Sequence, residues 1–154
     1  MSIIALGNAL TDILVRLPDE RILEELGIER GGMYLIDSEQ HHRMMSRIGD
    51  FPWSVAAGGS AANMVGGVAA LGTPATYVGH VGEDETGRAF RACQERKRIR
   101  PLVGVSDRTP SGKCISVVFP DGERTMLTYL GAALETGTGP LSTENVWGHR
   151  ASLL

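Results

Sequence analysis

Short apolar runs alternate with amphipathic stretches along most of this chain of 154 residues. Apolar runs of four to eight residues are typical of buried strands, whereas apolar residues spaced three or four apart indicate helices. Their alternation predicts an α/β fold with a mostly parallel sheet flanked by helices. The predicted strands of this sheet cover residues 2–6, 51–57, 76–81 and 99–105.

Helix boundaries are predicted from local end signals. Asp37 and Gln40 have the spacing of a capping box and open a helix that runs to about residue 48. Another helix begins with Ser60 as its N-cap and stops in a left-handed turn at Gly72. Two further helices are predicted over residues 19–26 and 85–98.

Three β-rich runs, over residues 12–17, 33–36 and 113–129, do not fit the main sheet. The last contains Asp121-Gly122 between two alternating runs, a strong hairpin signal. Arg124 follows this turn and would reach a ligand if the hairpin folded over a site. A lone arginine on a hairpin is more often simply solvated.

Composition and charge narrow the functional classes. A net charge of −3 with 5% aromatic residues disfavours nucleic-acid binding. No apolar run approaches the ~20 residues of a membrane span, so no membrane partner is expected. Cys93 and Cys114 lie in different predicted elements, and we expect free thiols and a cytoplasmic location.

Histidine spacing does not indicate a metal site. His41 and His42 fall on the helix that follows Asp37, where adjacent side chains point about 100° apart and do not converge on one ion. We expect both histidines to lie at the surface and neither to bind a metal ion. The acidic residues after Gly82 are expected to cap a helix.

The stretch from Gly58 to Gly72 is the most informative part of the chain. Gly58-Gly59 allows close approach of the backbone, and a helix start offers free N–H groups to an oxygen-rich ligand. Asn63 lies in the first turn and can face the same ligand. The alternative is a buried helix of small residues without a ligand. The stretch contains neither GxGxxG nor a P-loop, which disfavours a dinucleotide binder.

Two polar residues follow the first strand. Asn8 and Asp12 lie where open α/β sheets place ligands, beyond the carboxyl end of a strand. Asp12 can accept hydrogen bonds from substrate hydroxyls. The alternative for Asp12 is a turn-forming aspartate bonded to its own backbone.

These motifs, in this order, resemble the N-terminal half of the ribokinase/PfkB carbohydrate kinase family. The resemblance rests on four stretches and covers residues 1 to about 133: Gly7–Asp12, Gly58–Asn63, Ala69–Gly72 and Val78–Gly87. It implies a ribokinase-like fold in which the three β-rich runs form a small β lid over the substrate. Relative to the family fold, this chain is incomplete.

The resemblance also implies an activity. Family members use ATP and Mg²⁺ to phosphorylate a hydroxyl of a sugar or nucleoside. The substrate-binding residues that it implies here are Asn8, Asp12, Gly58, Gly59, Ser60, Asn63 and Arg124. The family's catalytic aspartate and anion hole lie in a C-terminal half that has no counterpart here, so no catalytic residue is assigned, and tight ATP binding is not expected.

We therefore expect two regions. Residues 1–134 form the N-terminal part of a ribokinase-like domain, and residues 135–154 form an unpatterned tail. The chain is expected to be an N-terminal fragment of a kinase, inactive alone, that self-associates through lid strands or exposed sheet surface. The alternative is a non-catalytic module in which the β lid serves dimerisation or another interaction.

Overall fold

The computed structural model describes residues 2–136, which divide into two compact units. The first unit contains residues 2–11, 57–112 and 131–136 of this range, and the second contains Asp12–Ala56 and Lys113–Leu130. The elements, in chain order, are β1 (Ile3–Leu6), β2 (Leu10–Arg16), α1 (Arg21–Glu25), β3 (Met33–Leu35), α2 (Ser38–Ile48), β4 (Trp53–Gly58), α3 (Ser60–Ala70), β5 (Ala75–Gly82), α4 (Glu85–Arg96), β6 (Ile99–Ser106), β7 (Gly112–Val118), β8 (Arg124–Tyr129) and a 3-10 helix (Gly131–Glu135).

The first unit is built on a parallel sheet with the strand order β1-β5-β6. Its core joins α3 and α4 to this sheet through Val65, Tyr77, Phe90 and Ile99. The α/β class and the parallel sheet are thereby confirmed. The first predicted strand pairs in parallel as expected, but it is only partly buried, because β1 is an edge strand among the described residues and Leu6 is 60% exposed.

The second unit is built on a five-stranded sheet with the order β3-β8-β7-β2-β4. Strands β7 and β8 form the predicted antiparallel hairpin, whereas β3 pairs with β8 in parallel, so this sheet is mixed. It contains all three β-rich runs that did not fit the main sheet, together with β4, which was expected in the main sheet. That expectation for β4 is wrong. The lid role of these strands stays a prediction.

One face of the five-stranded sheet is covered by α1 and α2. The core on this face includes Ile13 and Val15 from β2, Leu127 from β8, and Met44 and Ile48 from α2. Since strand side chains alternate between faces, the intervening residues of β2 and β8 point to the opposite face. That second face carries Leu14, Met33 and Leu35, and the latter two are more than 70% exposed.

The N-terminus of α2 and the C-terminus of α3 follow the predicted chemistry. The Asp37 carboxylate accepts a hydrogen bond from the Gln40 backbone N–H, and the Gln40 side chain accepts one from the Asp37 N–H, which is the predicted capping box. Gly72 adopts a φ of 85° and ends α3, as predicted. Its N–H donates to the Ala69 carbonyl and the Thr73 N–H donates to Val68, which together form a Schellman motif.

His41 corrects one surface prediction. It lies three residues before buried Met44, so it borders the apolar stripe of α2 and is half-buried. Its ring lies 5.2 Å from that of Tyr129, and burial, with smaller contributions from Lys113 and His42, lowers the pKa of His41 to about 4. His42 is exposed, as predicted.

Three further findings concern the described part of the chain. Cys93 and Cys114 are free thiols. No helix within residues 2–136 is long and apolar enough to cross a membrane. The predicted tail begins at Glu135, which closes the 3-10 helix, and residues 137–154 lie outside the described range.

Candidate functional site

The glycine turn forms the centre of the candidate site in the first unit. Strand β4 ends at Gly58 and α3 begins at Ser60, so Gly59 between them is the N-cap. Its carbonyl accepts the first helical hydrogen bond, from the Asn63 N–H at 3.0 Å. The prediction that Ser60 is the N-cap is therefore wrong. Gly59, with a φ of 91°, is the last residue outside the helix, and Ser60 is the first helical residue.

Gly59 brings the start of α3 into contact with the loop after β1. A Cβ at Gly59 would lie 2.7 Å from the carbonyl oxygen of Asn8, which is closer than carbon and oxygen approach. A Cβ at Gly7 would likewise lie 2.7 Å from the Cβ of Ala61. Both glycines are therefore needed for this close packing of loop on helix, which brings Asn8 beside the first turn of α3.

The Gly7-Asn8 loop is itself anchored to β5. The Gly7 N–H donates to the Val78 carbonyl at 3.1 Å, and the hydroxyl of Tyr77 donates to the Gly7 carbonyl at 2.8 Å. Tyr77 is fully buried, and its burial raises the pKa of the phenol. Gly79 leaves room for this ring, since a Cβ there would lie 2.8 Å from a ring carbon of Tyr77.

The side chains around this packing are available to a ligand. Asn8, Ser60 and Asn63 are all exposed, and no side chain within residues 2–136 caps the N-terminus of α3. The first turn of α3 carries no acidic residue, so its backbone N–H groups and the positive end of the helix dipole can meet an electron-rich oxygen. This arrangement suits directed hydrogen bonds to ligand hydroxyls.

Asp12 and Arg124, the other two predicted site residues, belong to the second unit. Asp12 lies within β2 and is half-buried, and this burial raises the pKa of its carboxyl group. It is not a turn residue, so the alternative of a turn-forming aspartate is wrong. Arg124 is exposed at the start of β8.

Asp12 and Arg124 lie on the same face of their sheet, the face opposite α1 and α2. They are not neighbours on it, because Arg124 pairs with Val118, whose carbonyl accepts a hydrogen bond from the Leu17 N–H. Asp12 is five residues from Leu17 along extended backbone, or roughly 16 Å at about 3.3 Å per residue. Between them, the same face of β2 carries Leu14 and the exposed Arg16.

The acidic turn before α4 is structural, as predicted. The Asp84 carboxylate caps α4 by accepting from the Gly87 N–H at 2.7 Å. It also accepts from the N–H and the hydroxyl of Ser111 at 2.8 and 2.7 Å. Within residues 2–136, no group of three or more histidine, cysteine or acidic side chains is placed to hold a metal ion.

Two residues of the first unit that make close tertiary contacts were not predicted from the sequence, and one of them, Tyr77, supports the candidate site. Tyr77 reads in the sequence as one more apolar strand residue, and its bond to Gly7 joins positions 70 residues apart. Ser111 lies in a loop predicted only as polar and turn-rich, yet its hydroxyl accepts from the Gly82 N–H at 2.9 Å. The only sequence signals for these contacts are Gly79, beside the Tyr77 ring, and Gly82, beside the backbone of Ser111.

Comparison with known proteins gives a consistent family. Residues 34–147 match the family described as pfkB family carbohydrate kinase. The adenosine kinase from Sinorhizobium meliloti is 36% identical, with a TM-score of 0.81 over 94% of this chain and 44% of that one. A probable sugar kinase from Rhizobium etli CFN 42 is 35% identical, with a TM-score of 0.81 over 94% of this chain and 43% of that one.

A more distant match carries a nucleoside. The Schistosoma mansoni adenosine kinase in complex with 2-fluoroadenosine is 25% identical, with a TM-score of 0.75 over 85% of this chain and 39% of that one. This chain thus spans less than half the length of each of these structures. No curated protein matches the chain.

Proposed function

Because the chain belongs to the pfkB family of carbohydrate kinases, we propose that it forms the acceptor-binding part of an ATP-dependent kinase that phosphorylates a hydroxyl of a sugar or nucleoside. The observation that supports this most is the packing of Asn8 against Gly59 at the start of α3. It gathers two side-chain amides, one hydroxyl and uncapped backbone N–H groups in one place.

In this proposal the chain's polar residues orient the acceptor. Asn8, Ser60 and Asn63, with the backbone of Gly58 and Gly59, hold its hydroxyls by directed hydrogen bonds. Phosphoryl transfer depends mainly on positioning and on charge stabilisation, so an acceptor hydroxyl held in one orientation is a substantial part of catalysis. A polar site of this kind also discriminates against analogues that lack the hydroxyls.

Asp12 and Arg124 are proposed separately, as ligand contacts of the second unit. The Asp12 carboxylate would accept from an acceptor hydroxyl, and Arg124 would contact a polar or anionic group at the other end of the same sheet face. The exposed aliphatic side chain of Leu14, which lies beside Asp12 on the same face of β2, suits contact with the flat apolar face of a base. Contact with Leu14 therefore favours a nucleoside over a simple sugar, whereas the similarities to the S. meliloti adenosine kinase and to the R. etli probable sugar kinase are equally strong.

ATP and Mg²⁺ would supply the phosphoryl group and the charge neutralisation. Within residues 2–136, no group of three or more histidine, cysteine or acidic side chains is placed to hold a metal ion. We propose that ATP and Mg²⁺ bind to the part of the family fold outside the 44% that this chain covers in the S. meliloti structure, and that this chain alone is inactive. No catalytic step is assigned to the residues of this chain.

A second candidate function is a non-catalytic interaction module. The face of the five-stranded sheet opposite α1 and α2 exposes Met33 and Leu35 by more than 70%, and an apolar face of this kind favours self-association. A homo-oligomer formed through these strands would bury the face without any acceptor. The two candidates differ in whether a sugar or nucleoside binds.

Thermal denaturation of the purified chain separates the two candidates. Adenosine, ribose and fructose would be added in turn at high concentration. A ligand that binds only the folded chain stabilises it by about 2.7 kcal/mol at a hundredfold excess over its Kd, so we expect adenosine to raise the midpoint. A cooperative transition that no ligand shifts would contradict acceptor binding and favour the interaction module.

Matched variants then locate the binding site. Ser60→Ala and Asn63→Ala should each abolish most of the rise with adenosine. Ser46→Ala is the control, since Ser46 is also an exposed helical serine but lies on α2. A kinase assay completes the test: ATP-dependent phosphorylation of adenosine by the chain alone would contradict its proposed inactivity.

A further inference from the structure

Arg30 lies at the centre of an ion cluster in the second unit. Its guanidinium pairs with the Asp121 carboxylate, and its Nε lies 2.6 Å from Oε2 of Glu123. A third carboxylate, that of Glu20, lies 4.0 Å away. The guanidinium carbon also lies 4.4 Å above the centre of the Phe119 ring, a cation–π distance. One cation thus joins the loop before β3 to both sides of the β7–β8 turn.

The two residues after Arg30 continue this attachment along β8. The Gly31 N–H donates to the hydroxyl of buried Thr125 at 2.9 Å, and the Gly32 carbonyl accepts from the Met126 N–H at 2.9 Å. Gly31 has a φ of 86°, and a Cβ there would lie 2.7 Å from a carboxylate oxygen of Glu123. The segment 30–32 therefore follows β8 closely from the hairpin turn to the start of the regular β3–β8 pairing.

These contacts hold both neighbours of Arg124. Glu123 is held by Arg30, and Thr125 is held by Gly31 on the side of the sheet that faces the core. Because successive strand side chains point to opposite faces, Arg124 must then point to the open face, which also carries Asp12. Contacts on the opposite face of β8, from Arg30 and Gly31, therefore fix the strand segment from which the Arg124 side chain projects.

We propose that Arg30 is a positioning residue that fixes the direction of the Arg124 side chain by holding the hairpin turn from the opposite face of β8. The link to ligand binding rests on the proposed function, whereas the hold on the hairpin does not. Removing the guanidinium leaves three carboxylates facing one another, so the turn should open more often. Lysine would not restore it fully, since a single ammonium cannot bridge Asp121 and Glu123 while it stacks on Phe119.

Hydrogen exchange of the full chain tests the hold on the hairpin. The reporters are the Gly122 N–H, which donates to the Phe119 carbonyl, and the Phe119 N–H, which donates to Glu123. Arg30→Met keeps an aliphatic side chain and removes the charge, and should speed exchange at both amides about fivefold to tenfold. Arg30→Lys should give an intermediate rate. Arg21→Met is the matched control, because the Arg21 guanidinium pairs with the Asp19 carboxylate at 2.7 Å and with neither Asp121 nor Glu123 of the hairpin. Both reporter amides should exchange at the wild-type rate in this variant.

The thermal midpoint with and without adenosine then tests whether the contacts between Arg30 and the hairpin affect ligand binding. If Arg30→Met speeds hairpin exchange and also loses the midpoint rise with adenosine, while Arg21→Met keeps both wild-type properties, the proposal holds. Hairpin exchange unchanged in Arg30→Met would overturn it. Faster exchange with the full adenosine effect retained would overturn the positioning role. If adenosine shifts no variant and not the wild type, the proposed function fails, and the exchange rates alone decide whether Arg30 holds the hairpin.

Discussion

The hydroxyl of Tyr77 donates a hydrogen bond of 2.8 Å to the carbonyl oxygen of Gly7. The bond joins the middle of β5 to the loop after β1, and the next residue of that loop is Asn8. Tyr77 has no exposed surface and Gly7 is partly buried, so leaving the hydroxyl or the carbonyl unpaired there is costly. The position of Asn8 therefore depends on a residue in the core of the first unit.

Replacing Tyr77 by phenylalanine should destabilise the chain. The ring packing on Phe90 would remain, but the Gly7 carbonyl would lose its buried donor, at a cost of about 1–2 kcal/mol in the free energy of unfolding. Urea denaturation measures this cost. Tyr34→Phe is the control, because Tyr34 is half-buried and its hydroxyl makes no hydrogen bond to a described residue. Equal stability of the two variants would show that the Tyr77 bond contributes nothing.

Gly59 and Gly67 give opposite predictions for the same substitution. Alanine at Gly59 must adopt a φ of 91° and place its Cβ 2.7 Å from the Asn8 carbonyl, so Gly59→Ala should cost about 3 kcal/mol. Gly67 is exposed within α3, and a methyl group there would meet no neighbouring atom within 4 Å, so Gly67→Ala should stabilise by about 1 kcal/mol through helix propensity. Urea denaturation of both variants checks the contrast, and a stable Gly59→Ala protein would refute the close packing of loop and helix.

Local features of this fold could be predicted from the sequence. The capping box at Asp37, the hairpin turn at Asp121-Gly122 and the helix stop at Gly72 each depend on residues within a few positions of one another. Their chemistry is therefore visible in a short window of sequence. The N-cap of α3 was missed by one residue because both Gly59 and Ser60 suit that position, and only the backbone angle distinguishes them.

Contacts between distant residues could not be predicted in this way. Tyr77 and Gly7 are 70 positions apart, and Arg30 and Asp121 are 91 apart, so no short-range pattern connects them. The sheet to which a strand belongs also depends on distant residues. The sequence of β4 is typical of a buried strand of either sheet, and its pairing with β2 is what makes it part of the second sheet. The site residues Asn8 and Asn63 were proposed from local signals, namely the end of a strand and the start of a helix, and the family motifs added Ser60, whereas the distant residue Tyr77 that supports Asn8 gave no such signal.

His41 should make stability depend on pH. Its pKa is lowered from 6.5 to about 4, so the folded chain binds fewer protons than the unfolded chain between these values. The neutral ring therefore contributes full stability above about pH 6.5, and this contribution is lost as the pH falls towards 4. Because the ring is only half-buried and solvent screens its charge, we expect a loss of about 1 kcal/mol from this residue.

The variant His41→Phe isolates this effect. Phenylalanine keeps a ring beside Tyr129 but cannot bind a proton, so the fall in the free energy of unfolding between pH 7 and pH 4.5 should be smaller than in the wild type. His42→Phe is the control, since His42 is exposed and its replacement should leave the slope unchanged. Burial raises the pKa of Asp12, which makes the free energy of unfolding increase as the pH falls. This contribution is the same in the wild type and in both variants. Identical slopes for His41→Phe and the wild type would rule out His41 as the cause.

Gln94 gives the last prediction, a gain in stability. Its side chain on α4 has no exposed surface, and neither its amide nitrogen nor its amide oxygen has a hydrogen-bond partner among the described residues. Methionine has a similar volume and no strong polar group, so Gln94→Met should raise the free energy of unfolding by about 1–2 kcal/mol. Gln94→Glu should lower it, because a carboxylate there would be buried without a cation. Urea denaturation at pH 7 compares the two, and a destabilised methionine variant would mean that the Gln94 amide is hydrogen-bonded in solution.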